Sequence, residues 1–192
     1  MWTLPGVPGY ILSFLFVKSV NAVIVTWLVF YLSMIGMVSE SRIIGLLWAI
    51  STFLGGLLGS YLNPTFDKKI FIGALFASSI LFIFLEEIHL YPNDIEVIIL
   101  VTVCGLIFGG PFTVMNTSIA IFLSEKPAIR NIPGAKAAII SAMEGYGLFF
   151  SGISLLIIPV IGVIDLHWIA SLYCGIAAGI LLFEEIRESK DG

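Results

Sequence analysis

The sequence predicts an all-α polytopic membrane protein with six transmembrane helices. Of the 192 residues, 59% are hydrophobic and only 11% are charged, and the mean hydropathy is +1.09. A soluble domain carries about 25% charged residues, so this chain has too few of them to cover a soluble core. The apolar runs are continuous rather than alternating, which favours helices over the strands of a membrane barrel.

A helix needs about 20 apolar residues to cross a bilayer. Polar breaks divide the chain into six candidates, and we expect all of them to form one domain, 1–192. The first follows a short lead that has no basic region or cleavage pattern, so we expect no signal peptide. The third and sixth are short, which predicts interfacial positions for Lys69 and Glu184. The predicted spans are 10–36, 43–62, 70–85, 95–123, 137–164 and 168–183.

The basic residues indicate an orientation. Arg42 alone lies in a loop on one side of the predicted membrane. Those on the other side are Lys68, Lys69, Lys126, Arg130, Lys136, Arg187 and Lys190. Because cytoplasmic loops are enriched in Lys and Arg, both termini are predicted to be cytoplasmic. The net charge of −4 and the lack of a basic face argue against a nucleic-acid partner.

No motif in the chain predicts an enzyme. There is no phosphate-binding loop, dinucleotide fingerprint or nucleophile elbow, and we expect no cofactor. Cys104 and Cys174 fall in apolar spans without metal-ligand spacing, so no metal site is expected. His89 and His167 are predicted to be solvated loop residues.

Two ionisable residues lie deep in the predicted spans, Lys18 in the first and Glu144 in the fifth. A charge at that depth costs about 2.5–3.5 kcal/mol on insertion scales and usually marks a pathway or a site. Lys18 shares a helix face with Asn21, and their donors suit an anion, although a lysine there could also snorkel to the interface. Glu144 is followed by two nearby glycines, and it suits a structural partner for Lys18 or for a freed backbone group, or a proton-coupling carboxylate.

The fourth span is interrupted by Gly109, Gly110 and Pro111, which predict a kink. A polar patch that includes Asn116 follows, and it suits gating, substrate contact or hydrogen bonds between helices. Glycine pairs four residues apart, such as Gly55 with Gly59, favour close helix packing.

These motifs, in this order, resemble the C-terminal half of a major facilitator superfamily transporter. The closest likeness is to the sugar-phosphate exchangers, the glucose-6-phosphate/phosphate antiporter family. Lys18 and Asn21, followed by Trp27 and Tyr31, are similar to that family's seventh helix. The Gly55-Gly56 pair resembles the family's eighth helix, and the Asp67-Lys68-Lys69 loop resembles the loop that follows it. Gly109-Gly110-Pro111 is similar to part of the tenth helix, and Glu144-Gly145-Tyr146-Gly147 to part of the eleventh.

The resemblance implies substrate contacts from Lys18, Asn21, Trp27, Tyr31 and Asn116. It also implies a membrane-lipid environment, a small anionic substrate and residence in the endoplasmic reticulum or another endomembrane. The chain departs from the family where Phe122 and Glu144 each replace an aspartate, where Val29 replaces a proline and where Ser124 replaces a glycine.

Family members use twelve helices, with the substrate between two six-helix halves. This chain therefore suits a fragment, a half that pairs as a homodimer or with a separate N-terminal half, or a degenerate copy. The leading hypothesis is exchange of an organic phosphate across the membrane, with Glu144 as a charge partner and Gly109 to Pro111 as a gate. The alternative is a non-transporting membrane protein that regulates or assembles with a full transporter.

Overall fold

The computed structural model describes residues 7–62, 67–90, 94–126, 129–162 and 165–191, and within these ranges it confirms the all-α fold class. The described residues form six helices, each long and apolar enough to cross a membrane, so the protein is an integral multi-pass membrane protein. They are α1 (Val7–Met34), α2 (Ser41–Leu62), α3 (Lys68–Leu90), α4 (Asp94–Ser124), α5 (Ala135–Ile161) and α6 (Leu166–Asp191). The lead 1–6 and the 92–93 loop lie outside the described residues.

The third and sixth helices extend beyond the apolar runs that predict them, to Leu90 and Asp191. Glu, Arg and Lys are good helix formers, so the end of an apolar run does not end a helix. Glu184, which is predicted to lie at the membrane interface, is buried within the helix bundle, with 4% of its surface exposed. A side chain at Gly9 would collide with the Glu184 carboxylate, so the glycine makes room for it.

Tight turns at glycines end two of the helices. Gly36, after α1, has φ +97° and Gly162, after α5, has φ +122°, which are conformations that other residues rarely adopt. The N–H of Gly162 donates to the carbonyl of Ile158 at 2.9 Å and so satisfies one of the last carbonyls of α5. These turns reverse the chain between successive spans.

The helix contacts are arranged as two related sets of three helices. α1 packs on α5 and α6, and in the same way α4 packs on α2 and α3. α3 and α6 pack on each other. Exchanging α1–α3 with α4–α6 leaves this contact pattern unchanged, which is what two three-helix repeats require.

Glycines set the closest helix approach, between α2 and α4. A Cβ at Gly55 would overlap the backbone of Leu106, and one at Gly109 would overlap the backbone of Thr52. The two helices therefore touch backbone to backbone, as the glycine spacing predicts. Beside this seam, the ring of Trp48 stacks on that of Phe108 at a centroid distance of 5.9 Å.

Candidate functional site

The two deep charges lie against each other. Lys18 of α1 donates a hydrogen bond from Nζ to Oε2 of Glu144 on α5. Asn116 of α4 donates from Nδ2 to Oε1 of the same carboxylate at 2.6 Å. One carboxylate thus accepts hydrogen bonds from two other helices, and we call these three residues the membrane triad.

Small residues make room for the triad between α1 and α5. A Cβ at Gly147 would lie 2.6 Å from Cδ of Lys18, so any larger residue there would force the lysine stem to shift. The ammonium group lies 5.7 Å from the centroid of the Phe14 ring, on the same face of α1. Beside this contact, the hydroxyls of Ser19 on α1 and Ser151 on α5 are 3.4 Å apart. Gly147 and the serines therefore bring the two helices close enough for the ion pair.

The triad is charge-balanced but unevenly covered. The Lys18 side chain is 16% exposed, whereas that of Glu144 is 43% exposed. The Oδ1 atom of Asn116 is buried and has no hydrogen-bond partner among the described residues. Lys18 lies about 17 Å from the first residue of α1 at 1.5 Å per residue, which is well inside a bilayer. The carboxylate is therefore the accessible side of the triad.

The other predicted substrate residues on α1 are not gathered at the triad. Asn21 is half-buried, and no side-chain hydrogen bond is found for it among the described residues. Trp27 packs on the ring of Phe30, at a centroid distance of 6.0 Å. Tyr31 is buried and its hydroxyl donates to the carbonyl of Leu85 on α3 at 3.3 Å. Tyr31 lies about 20 Å along α1 from Lys18, so it ties helices together at a different depth.

The predicted gate residues lie in the seam between α2 and α4. α4 continues as one helix through Pro111. Gly110 lies against Gly59, and Gly109 against the backbone of Thr52. The hydroxyl of Thr113 donates to the carbonyl of Gly109 at 2.7 Å. In this structure these residues serve close packing.

A second charged cluster lies at the end of the bundle where α1 and α3 begin and α4 and α6 end. Glu188 of α6 accepts from Lys68 through Oε2 and from Lys126 through Oε1, the latter at 2.7 Å. Lys68 also pairs with Glu185 at 3.0 Å. Both ammonium groups lie over the Phe122 ring, 4.8 and 5.1 Å from its centroid. We call Lys68, Lys126, Glu185, Glu188 and Phe122 the end cluster.

From the sequence, Lys68 and Lys126 indicate the orientation, and Lys68 also lies in the loop that resembles the exchanger family; neither pattern predicts the end cluster. Lys68 and Glu188 are 120 residues apart, and no local motif links them. A sequence signal for this cluster is Phe122, an aromatic residue at a position where the resemblance implies an aspartate. His167 was also misjudged: it lies in the first turn of α6, is 3% exposed and packs beside the Tyr31 ring.

Comparison with curated proteins finds relatives that are named for the transport of phosphate esters. A protein of Arabidopsis thaliana named as a glycerol-3-phosphate transporter is 26% identical over 187 residues, which cover 94% of this chain. Sugar phosphate exchanger 3 of Homo sapiens is 27% identical over 150 residues, or 75% of this chain. The predicted resemblance to sugar-phosphate exchangers is confirmed.

The matched segments cover 36% and 30% of those two relatives, so this chain spans about a third of their length. Sugar phosphate exchanger 3 of Gallus gallus, 23% identical over 186 residues, gives the same coverage of 36%. No family model and no solved structure matches the chain. The relatives are named as transporters and exchangers, which confirms the prediction that the chain is not an enzyme.

Proposed function

We propose that this chain forms one half of a secondary transporter for an organic phosphate, and that its anion site is built on Lys18. The observation that carries the proposal is a lysine midway along a spanning helix whose partner is the accessible carboxylate of Glu144. A cation at this depth favours an anionic substrate. The names of the relatives suggest the class of substrate, which is a sugar phosphate or another phosphate ester that is exchanged for phosphate.

In this proposal Lys18 binds the phosphate group as a charged donor. Asn116 and Asn21 supply amide donors, one beside the carboxylate and one a turn along α1. Trp27 and Tyr31 are proposed to contact substrate from positions further along that helix. Glu144 neutralises Lys18 when the site holds no substrate.

The residues Gly109, Gly110 and Pro111 are proposed to bend α4 during transport. Their lack of bulky side chains lets α4 slide on α2, and Pro111 removes one backbone hydrogen bond from the helix. The seam seen here is then one of two packed arrangements.

A partner is proposed because Glu144 is charged and 43% exposed. Facing lipid tails would cost about 2.5–3.5 kcal/mol, so the exposed side of the carboxylate should meet water or protein. Ser141, three residues earlier on the same face of α5, is exposed as well. We propose that residues 1–192 form one domain and that a second half covers this face, as a homodimer or as a separate N-terminal half.

The proposed orientation has both termini in the cytoplasm, because the basic residues concentrate at one end of the bundle. Residence in the endoplasmic reticulum or another endomembrane is proposed from the family resemblance alone.

A ligand-stabilisation screen tests the function. The full chain is reconstituted in lipid nanodiscs and its melting temperature is measured with phosphate, glucose-6-phosphate, a neutral sugar and an amine. A ligand at a hundred times its dissociation constant stabilises the folded state by about 2.7 kcal/mol, which is a readily measured shift. We expect stabilisation by the phosphates alone. Lys18→Ala should abolish it, whereas Lys69→Ala, which removes an exposed lysine at the start of α3, should leave it intact.

Two results would change the conclusion. Stabilisation by an amine or a neutral sugar but by no phosphate would overturn the substrate class. No effect of any ligand on the folded protein would favour the alternative, a membrane protein that assembles with a full transporter. The partner is tested separately by native mass measurement in mild detergent, where a monomer over a wide concentration range would contradict the homodimer.

A further inference from the structure

We infer that Glu144 is a built-in competitor for the substrate anion, and that a proton taken up by Glu144 frees the site for phosphate. This inference rests on the proposed function and adds its regulation: anion binding should be coupled to proton uptake at one named carboxylate.

The contacts of the membrane triad carry the first step. Lys18 Nζ and Asn116 Nδ2 are the donors that a phosphate oxygen would use, and both donate to Glu144. The carboxylate therefore occupies the position of the anion, with one oxygen toward each donor. A phosphate group cannot take both donors while Glu144 keeps them.

Burial indicates which member of the triad moves. Lys18 is 16% exposed and its stem packs closely against α5 at Gly147, whereas Glu144 is 43% exposed. Beside Glu144, a Cβ added at Gly145 would meet nothing within 4 Å, so there is open space on the accessible side of α5. The carboxylate can swing outward while the ammonium group and the amide stay in place.

Charge repulsion then links the replacement of the Glu144 carboxylate by phosphate to the uptake of a proton. With Glu144 ionised, a bound phosphate and the carboxylate would both be anions around one ammonium group, and like charges at contact distance repel. Protonation of Glu144 removes that repulsion and breaks its ion pair with Lys18. The proton comes from water on the side where the anion binds, resides on a Glu144 carboxyl oxygen while the anion is bound, and returns to water when the anion leaves and the ion pair re-forms.

Among the described residues, two side chains from other helices hydrogen-bond to Glu144. On α1 it meets Lys18, whose positive charge favours the ionised carboxylate, and on α4 it meets the neutral amide of Asn116. Tyr146, two residues along α5, is the nearest other titratable residue in the sequence. Lys18 is thus the opposing charge, and an anion that takes Lys18 removes what keeps Glu144 ionised. The coupling follows because both anions need the same cation.

The test compares wild-type protein with Glu144→Gln in nanodiscs, with inorganic phosphate as the probe. Glutamine has the shape of a protonated glutamic acid, so the variant should bind phosphate in the freed state at every pH. The titration of phosphate itself is common to both proteins and cancels in the ratio of their dissociation constants. Glu125→Gln, which removes an exposed carboxylate at the end of α4, is the matched control.

We expect wild-type protein to bind at least about tenfold more weakly than Glu144→Gln at alkaline pH. The ratio should fall toward one as the pH falls, by up to about tenfold per pH unit, since one proton is linked to binding. Glu125→Gln should follow the wild-type profile. A ratio that is constant with pH while both proteins bind phosphate would overturn the inference and leave the proposed function standing. Absence of binding in both folded proteins would overturn the proposed function as well.

A measurement on wild-type protein keeps the test decisive if Glu144→Gln does not fold. Infrared difference spectra are recorded on addition of phosphate, and the carbonyl band of a protonated carboxylic acid should appear. Phosphate binding without that band would show that Glu144 stays ionised in the complex, and would overturn the inference.

Discussion

Removing Lys18 or Glu144, the two members of the deep ion pair, should lower the free energy of unfolding by unequal amounts. Glu144→Ala leaves Lys18 without its counter-ion in a site where the lysine is only 16% exposed. Breaking a buried pair in this way costs about 3–5 kcal/mol, and the partial exposure of the pair brings the expected loss to about 3 kcal/mol. Lys18→Ala leaves the carboxylate hydrogen-bonded to Asn116 and 43% exposed, so we expect a loss of only about 1–2 kcal/mol.

The double variant tests whether the residues act as a pair. Lys18→Ala with Glu144→Ala leaves no unpaired charge, so its loss should be smaller than the sum of the single losses by about 1–2 kcal/mol. The free energy of unfolding is measured by denaturant titration of the purified protein in detergent. Lys69→Ala and Glu125→Gln, which each remove an exposed charge, should change it by less than about 0.5 kcal/mol.

Two results would refute this reasoning. Strict additivity of the single variants would show that the ion pair contributes nothing as a pair. A larger loss for Lys18→Ala than for Glu144→Ala would show that burial has been assigned to the wrong partner, and the outward movement proposed for Glu144 would lose its basis.

Three further predictions concern other parts of the bundle. Cysteine probes at Ser189 and in the 92–93 loop should be labelled from opposite sides of the membrane, and labelling of both from one side would contradict the six-span topology. Glu188→Gln should lower the free energy of unfolding by about 1.5–3 kcal/mol, because it removes the charge that two lysines share; an unchanged denaturation midpoint would show that the end cluster is not stabilising. Gly109→Ala should lower the free energy of unfolding by about 1–3 kcal/mol, because the added methyl group would overlap the backbone of α2. Gly73→Ala, at a position with open space, should not destabilise the protein. Equal thermal stability of the two variants would contradict the close α2–α4 seam.

The sequence by itself determined the fold class and the two charges that matter. Continuous apolar runs of spanning length can only be satisfied by helices, because a helix pairs its own backbone groups without water. The cost of a charge in lipid made Lys18 and Glu144 conspicuous without any knowledge of their neighbours. Both inferences depend on local chemistry along the chain, which a sequence displays directly.

The tertiary structure decided which side chains meet. Asn116 contacts Glu144, whereas Asn21, which is nearer to Lys18 in sequence, has no such contact, because α4 and α5 pack so that their polar positions face each other. His167 proved to be buried rather than solvated, and Tyr31 is buried with its hydroxyl on the backbone of α3. The end cluster joins residues 120 positions apart. Such contacts depend on how helices are rotated and paired, and the apolar pattern of a membrane helix does not encode this, since lipid-facing and core-facing surfaces are both apolar.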